Sequence, residues 1–353
     1  MNTYKNIKKN TRFNPPHSWK QIKTIDMHTG GEPLRIILEE GIEIEEKSVL
    51  AYRRAWQEHH DWLRTALMYE PRGHRDMYGC HIVPPNDPEA DFGVVFMHNE
   101  GYSTMCGHAI IAVSTLAVEM QWIPMQEGEN LLKIDAPCGR IISYTQVENG
   151  KVQGVRFQCV PSFVLDLDLE IEVPGIGKIN FDIAYGGAFY AYVDLSKNNL
   201  NLELEPSNVQ DIIDKGMTIK KAIMQSDQKI EHPFEPELGF LYGCIFIDKS
   251  KSKQVHSRNV CVFAEGEVDR SPTGSGVSGR IAIHHARGQI KPGEKICIES
   301  ITGSRFSVSI IAEKDYGSYQ AIIPEVEGSA YITGAHTFML DPKDPIKNGF
   351  LLR

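Results

Sequence analysis

The chain repeats itself, and that repeat limits what it can fold into more than any other feature. Asp26-Met-His-Thr-Gly-Gly31 in the first half is answered by Asp182-Ile-Ala-Tyr-Gly-Gly187 in the second. Met77-Tyr-Gly-Cys-His-Ile-Val83 is answered by Leu241-Tyr-Gly-Cys-Ile-Phe-Ile247, and Val94-Val-Phe96 by Cys261-Val-Phe263. Ten residues beyond each phenylalanine lie Cys106-Gly107 and Thr273-Gly274. Matched blocks in the same order mean two related domains that face each other. With 353 residues, two domains of roughly 100–200 residues are expected.

Composition narrows the partners. A formal net charge of -9 argues against a nucleic-acid binder, which would show a basic face, and against an anionic membrane surface. No stretch approaches the ~18 apolar residues of a membrane span. The first sixteen residues carry lysines with no apolar run behind them, unlike a secretory signal. Residues 1–20 read as a frayed or loosely docked arm. The seven cysteines are scattered without a CxxC pair, and no HExxH occurs. Neither a zinc site nor a disulfide framework is expected, and a cytoplasmic location fits best.

Local patterns supply the elements. Residues 93–98 and 259–264 are short β-branched and aromatic runs, the pattern of buried strands. The stretch after Cys106 is apolar on nearly every face and predicts a helix buried all round. Pro272 and Gly288 bracket a second helix after Thr273. Strand-like runs over 133–147, 152–165, 295–300 and 305–311 suggest much antiparallel sheet, while residues 203–225 read as helical segments broken near Gly216. The class is α+β.

The two helix starts form the candidate site. A helix N-terminus offers unpaired N–H groups and partial positive charge, so a thiol there is expected to have its pKa lowered. Gly107 and Gly274 let a ligand approach the backbone closely. If the halves face each other, both corners grip one carboxylate. Donors aimed at that carboxylate stabilise the enediolate-like charge that develops when a base removes the neighbouring α-proton. No metal, pyridoxal phosphate or nicotinamide is required.

Met105-Cys-Gly-His108 and Asp269-Arg-Ser-Pro-Thr-Gly-Ser275 resemble the two signature motifs of the proline racemase family. Residues 26–33, 70–77 and 182–189 resemble its other shared segments, and the similarity runs from about residue 22 to the C-terminus. The resemblance implies a diaminopimelate-epimerase-like fold: two pseudo-symmetric domains, each a mostly antiparallel β-sheet barrel around a central helix. Residues 21–165 plus 336–353 are expected to form the domain carrying Cys106, and 166–335 the domain carrying Thr273. A homodimer is the implied assembly. Family racemases carry cysteine at both helix starts, and here the second is Thr273, whose hydroxyl supplies no anion near neutral pH. The Cys/Thr pair is similar to the branch of the family that dehydrates trans-3-hydroxy-L-proline to 1-pyrroline-2-carboxylate without a cofactor. By that resemblance Cys106 is the general base. Gly107, His108, Gly274 and Ser275 offer backbone N–H groups to the carboxylate, Asp269 holds the ring nitrogen, and Thr273 lies near the ring and assists the departing hydroxyl.

Other readings stand beside these. Racemisation or 2-epimerisation of proline or hydroxyproline is the nearest rival; a cysteine hydrolase and a binding module without turnover are further ones. Cys80, Cys138, Cys159, Cys244, Cys261 and Cys297 are expected to be core packing. Gly274-Ser-Gly-Val-Ser-Gly279 matches a dinucleotide fingerprint, yet no strand runs directly into its first glycine. His108 could serve Cys106 as an acid partner, but two residues along the chain is a poor direction for such a pair. Asp269 could merely cap the second helix. His59-His60 and His284-His285 are expected on helix surfaces. Arg72, His74, Arg75 and Asp76 form a polar cluster whose default role is structural ion pairing.

Overall fold

The computed structural model describes residues 3–39 and 41–352. The first repeat opens with α1 (Thr3–Lys9), β1 (Lys20–Thr29), β2 (Glu32–Glu39), α2 (Val49–His59) and α3 (Asp61–Met68). It continues through β3 (Tyr78–Val83), β4 (Phe92–His98), β5 (Gly101–Ser103), α4 (Gly107–Glu119), β6 (Gly128–Ala136), β7 (Gly139–Glu148), β8 (Lys151–Gln158) and β9 (Ser162–Val173). The second repeat runs β10 (Gly177–Tyr185), β11 (Phe189–Asp194), α5 (Val209–Gln225), β12 (Leu241–Asp248), β13 (Ser257–Phe263) and β14 (Glu267–Val268). It closes with α6 (Gly274–Ala286), β15 (Lys295–Glu299), β16 (Arg305–Tyr316), β17 (Tyr319–Gly328) and β18 (Ala330–Leu340).

Each pairing in one repeat has its counterpart in the other. β2 runs parallel to β3 as β11 does to β12, and β4 parallel to β6 as β13 does to β15. Parallel neighbours need a crossover; α2–α3 and α5 supply the first kind, α4 and α6 the second. The remaining pairs within each repeat are antiparallel, and the repeats are stitched where β8 meets β17. Their last strands close other sheets: β9 pairs with β10, and β18 lies along β1 from Lys20↔Leu340 to Thr29↔Ala330.

α4 is enclosed because it has no polar face to leave outside: every residue from Gly107 to Val118 is buried. Ile110, Ile111, Val113 and Leu116 are fully covered, and each such side chain contributes roughly 1.5–3 kcal/mol. α6 is buried from Gly274 to Ile283. Both helices begin at the same place between the halves. A Cβ on Gly107 would stand 2.5 Å from Gly274 Cα, and one on Gly274 would stand 2.6 Å from Gly107 Cα. Only glycine permits that approach from either side.

Two expectations need revision or restriction. Residues 209–225 form one unbroken helix, not segments parted at Gly216. Gly216 is buried, and a Cβ there would meet Val262 Cγ2 at 2.8 Å; its place is set by packing against β13 rather than by a break. In the N-terminal arm, α1 has no buried residue, while β1 already begins at Lys20; Met1 and Asn2 lie outside the described residues.

Gly216→Ala sets two effects against each other. Helix propensity favours alanine by about 1 kcal/mol, whereas forcing a methyl into a filled contact costs about 1–3 kcal/mol. Chemical denaturation is expected to show a net loss of stability. A variant more stable than the parent would contradict the packing account.

Candidate active site

Cys106 is the N-cap of α4, in extended backbone with φ -146°. The helix geometry leaves the first N–H groups of α4 and of α6 without intrahelical partners, and the contact of Gly107 with Gly274 brings both sets to one place. Between the halves lies a small cavity. Cys106, His108 and Tyr78 line it from one side, and Asp269, Thr273 and Tyr242 from the other. Gly107, Gly274 and Ser275 also face it, so all seven residues singled out in the sequence meet here.

His108 corrects the expectation drawn from its spacing. Its Nδ1 stands 3.2 Å from Cys106 Sγ. Side chains on a helix lean toward its N-terminus, so a residue in the first turn reaches back over the cap. Burial holds the imidazole down at about 3, hence neutral, and its ring N–H donates to the Pro33 carbonyl. A neutral ring with one N–H committed is an acceptor for the thiol proton. The edge of the ring meets Tyr78, with centroids 4.8 Å apart.

The thiol pKa also departs from expectation. The helix start does pull it down, through the Ala109 N–H, but desolvation outweighs that. Burial pushes the Cys106 thiol well above its ordinary value, and the nearby carboxyls of Asp269 and Glu32 add to the rise. The expectation counted the helix dipole and left out the burial of the thiol.

Across the cavity, burial pushes the Asp269 carboxyl up to about 6. Its Oδ1 accepts from the Ser271 N–H at 2.7 Å, two residues along, so it does not cap α6. The N-cap of α6 is Thr273, with φ 68° and no side-chain capping bond. Positive φ in a β-branched residue is an outlier, of a kind that costs about 1–3 kcal/mol and collects at functional sites. Thr273 Oγ1 is buried, within hydrogen-bonding reach of Asp269 and Cys261. Ser275 Oγ meets the Tyr190 hydroxyl at 2.7 Å.

Reasoning from sequence missed several residues here. Glu32 is fully buried, and burial raises its pKa well above the usual carboxyl value. Its Oε2 accepts from the Arg270 N–H at 2.8 Å, tying the start of β2 to the loop that carries Asp269 and Thr273. Asp76 reaches the same arginine, 3.5 Å from its Nη2. Arg72 instead holds the C-terminal segment, donating to the Lys347 carbonyl at 3.0 Å, and His74 Nδ1 meets the Arg75 carbonyl. Tyr78 and Tyr242 were already visible as equivalents in the repeated Tyr-Gly-Cys blocks, although no chemistry was attached to them.

The remaining candidates sort by contact. Cys80, Cys138, Cys159 and Cys244 are buried, Cys297 is only partly so, and Cys261 lines the cavity instead of merely filling core. His59 and His284-His285 lie in the last turns of α2 and α6. The glycines of the dinucleotide-like motif serve packing: Cβ atoms on Gly276 and Gly279 would meet Ile245 Cδ1 at 2.5 Å and the Tyr192 hydroxyl at 2.3 Å. Among the described residues no group of three or more His, Cys, Asp or Glu could hold a metal ion. No helix among them is long and apolar enough to cross a membrane.

A trans-3-hydroxy-L-proline dehydratase of Colwellia psychrerythraea is 50% identical, over 95% of this chain and 94% of its own. A 3-hydroxyproline 2-epimerase of Burkholderia multivorans is 44% identical, over 95% of this chain and 99% of its own. The crystal structure of a hydroxyproline epimerase from Agrobacterium vitis, with bound trans-4-hydroxy-L-proline, superimposes with a TM-score of 0.87 at 31% identity, covering 94% of this chain and 96% of that one. The family model for proline racemase matches residues 24–351. The chain therefore belongs to the proline racemase family.

Proposed function

We propose that the protein is a trans-3-hydroxy-L-proline dehydratase, a cofactor-independent hydro-lyase, with Cys106 as its base. The observation that carries this reading is the unequal pair at the two helix starts, a thiol facing a threonine hydroxyl across one cavity. The substrate carboxylate rests on the N–H groups of Gly107, His108, Gly274 and Ser275, where two helix N-termini favour negative charge. Asp269 accepts from the ring nitrogen. Cys106 acts as its thiolate, its proton lost to solvent, and removes the α-proton. The electron pair released at the α-carbon then expels the hydroxyl on the next ring carbon, and the resulting enamine tautomerises to 1-pyrroline-2-carboxylate.

The rival reading, inversion at the α-carbon, has a named relative in its favour. Inversion needs a second group to deliver a proton to the opposite face. Thr273 occupies that position, and an alcohol ionises far too weakly near neutral pH to exchange roles with a thiolate. We further place the enzyme in the reducing cytoplasm, which the seven free thiols support, and assemble it as a homodimer, as the family resemblance implies.

Incubation with trans-3-hydroxy-L-proline is expected to yield the pyrroline, and Cys106→Ser to lower that rate by at least about 10²-fold. Inversion of proline or hydroxyproline with no pyrroline formed would overturn the assignment. Thr273→Cys restores a thiol on the second face, so α-proton exchange accompanied by some inversion is expected from that variant; absence of both would mean that residue 273 does not face the substrate. The pH profile follows from two groups that act deprotonated. Asp269, pushed up to about 6, makes kcat/KM fall as pH drops through that value. Cys106, above its ordinary range, makes kcat/KM continue to rise on the alkaline side. A profile flat from pH 6 to 9 would contradict both assignments.

A further inference from the structure

Dehydration leaves one requirement unassigned: the departing hydroxyl needs a proton. In trans-3-hydroxy-L-proline the carboxylate and hydroxyl lie on opposite faces of the ring, so the α-hydrogen and the hydroxyl share a face. The group that assists departure must therefore stand on the Cys106 side. Thr273, on the other wall, is misplaced for the task. His108 is turned to the thiol and gives its N–H to Pro33.

Tyr78 stands on the required side. It opens β3, is 3% exposed, and lines the cavity beside Cys106. Its hydroxyl is hydrogen-bonded to Ser103 Oγ and lies within hydrogen-bonding reach of the Cys106 sulfur. Next to it is Tyr242, its equivalent in the second repeat, stacked on Phe263 with centroids 5.4 Å apart. The Tyr242 hydroxyl is buried, faces the same cavity and lies within hydrogen-bonding reach of the Tyr78 hydroxyl.

We propose that Tyr78 is a catalytic residue that passes the ring hydroxyl of the substrate the proton with which it leaves as water. The inference rests on the dehydration reading. The thiolate takes the α-proton, and the former C–H pair becomes the new ring double bond. The carbon–oxygen bond breaks with its electrons on oxygen, which takes the phenolic proton. The phenol regains a proton from the Cys106 thiol, which is left as the thiolate that began the cycle. Burial holds the Tyr78 pKa well above its usual value, so the two transfers run together and no phenolate accumulates.

The test is Tyr78→Phe turned over in deuterium oxide with trans-3-hydroxy-L-proline. Dehydration is expected to drop about 10²-fold, while substrate recovered from the variant carries more deuterium at the α-carbon than substrate recovered from the parent. Dehydration within about threefold of the parent overturns the proposal. So does loss of dehydration and exchange together in a variant that still binds pyrrole-2-carboxylate, a ring flat at the α-carbon and without the hydroxyl. Should the variant not fold, the parent decides the matter with cis-3-hydroxy-L-proline, whose hydroxyl lies on the other face. Exchange without dehydration supports Tyr78, and dehydration at a rate comparable to the trans isomer overturns it. A parent that forms no pyrroline from the trans isomer fails the dehydration reading instead.

Discussion

The meeting of two helix N-termini, glycine against glycine, is the contact on which the rest of the molecule depends. Gly107 and Gly274 stand so close that neither tolerates a Cβ. Each helix is held there by its own sheet, and the sheets by the reciprocal closure of β9 on β10 and β18 on β1. The repeat brings two partial positive charges, each with its unpaired N–H groups, to one small cavity, where the proposed reading seats one small anion. One helix start would bind a carboxylate; two from opposite sides also fix its plane, which decides which face of the neighbouring carbon meets the sulfur.

Around this symmetric frame the chemistry is unsymmetric. One wall has a thiol paired with a neutral imidazole, and the other has a threonine in strained backbone beside a carboxyl pushed up to about 6. Glu32, Asp76, Asp269 and Arg270 gather at the seam. Charges this deep are stable only when partnered, so docking the Asp269–Thr273 loop on Glu32 and Asp76 also shapes the cavity. Burial serves the proposed reaction twice. It strengthens every dipole aimed at the carboxylate, and it makes the thiolate, once formed, a stronger base than it would be in water.

Much of this was legible in the residues. The repeated blocks gave two related units, and the all-apolar stretch after Cys106 gave a helix buried on every face. The pairing of Cys106 with Thr273 followed from their equal distance beyond Phe96 and Phe263. What escaped depended on neighbours distant in sequence. Gly216 reads as a helix breaker until Val262 is seen against it. His108 looks misdirected until the first helical turn bends it back over its own cap. The helix dipole can be inferred from a sequence, but the desolvation that outweighs it at Cys106 cannot. Glu32 and Arg270, 238 residues apart, meet only once the halves are assembled.

The central claim is that one sulfur works on one face of the substrate carbon and nothing answers it from the other. Chiral analysis of trans-3-hydroxy-L-proline recovered after partial turnover tests it most directly. The account predicts pyrroline together with unreacted substrate of unchanged configuration. Accumulation of the 2-epimer, cis-3-hydroxy-D-proline, at a rate comparable to pyrroline formation would mean that a second base exists, and the account would be wrong.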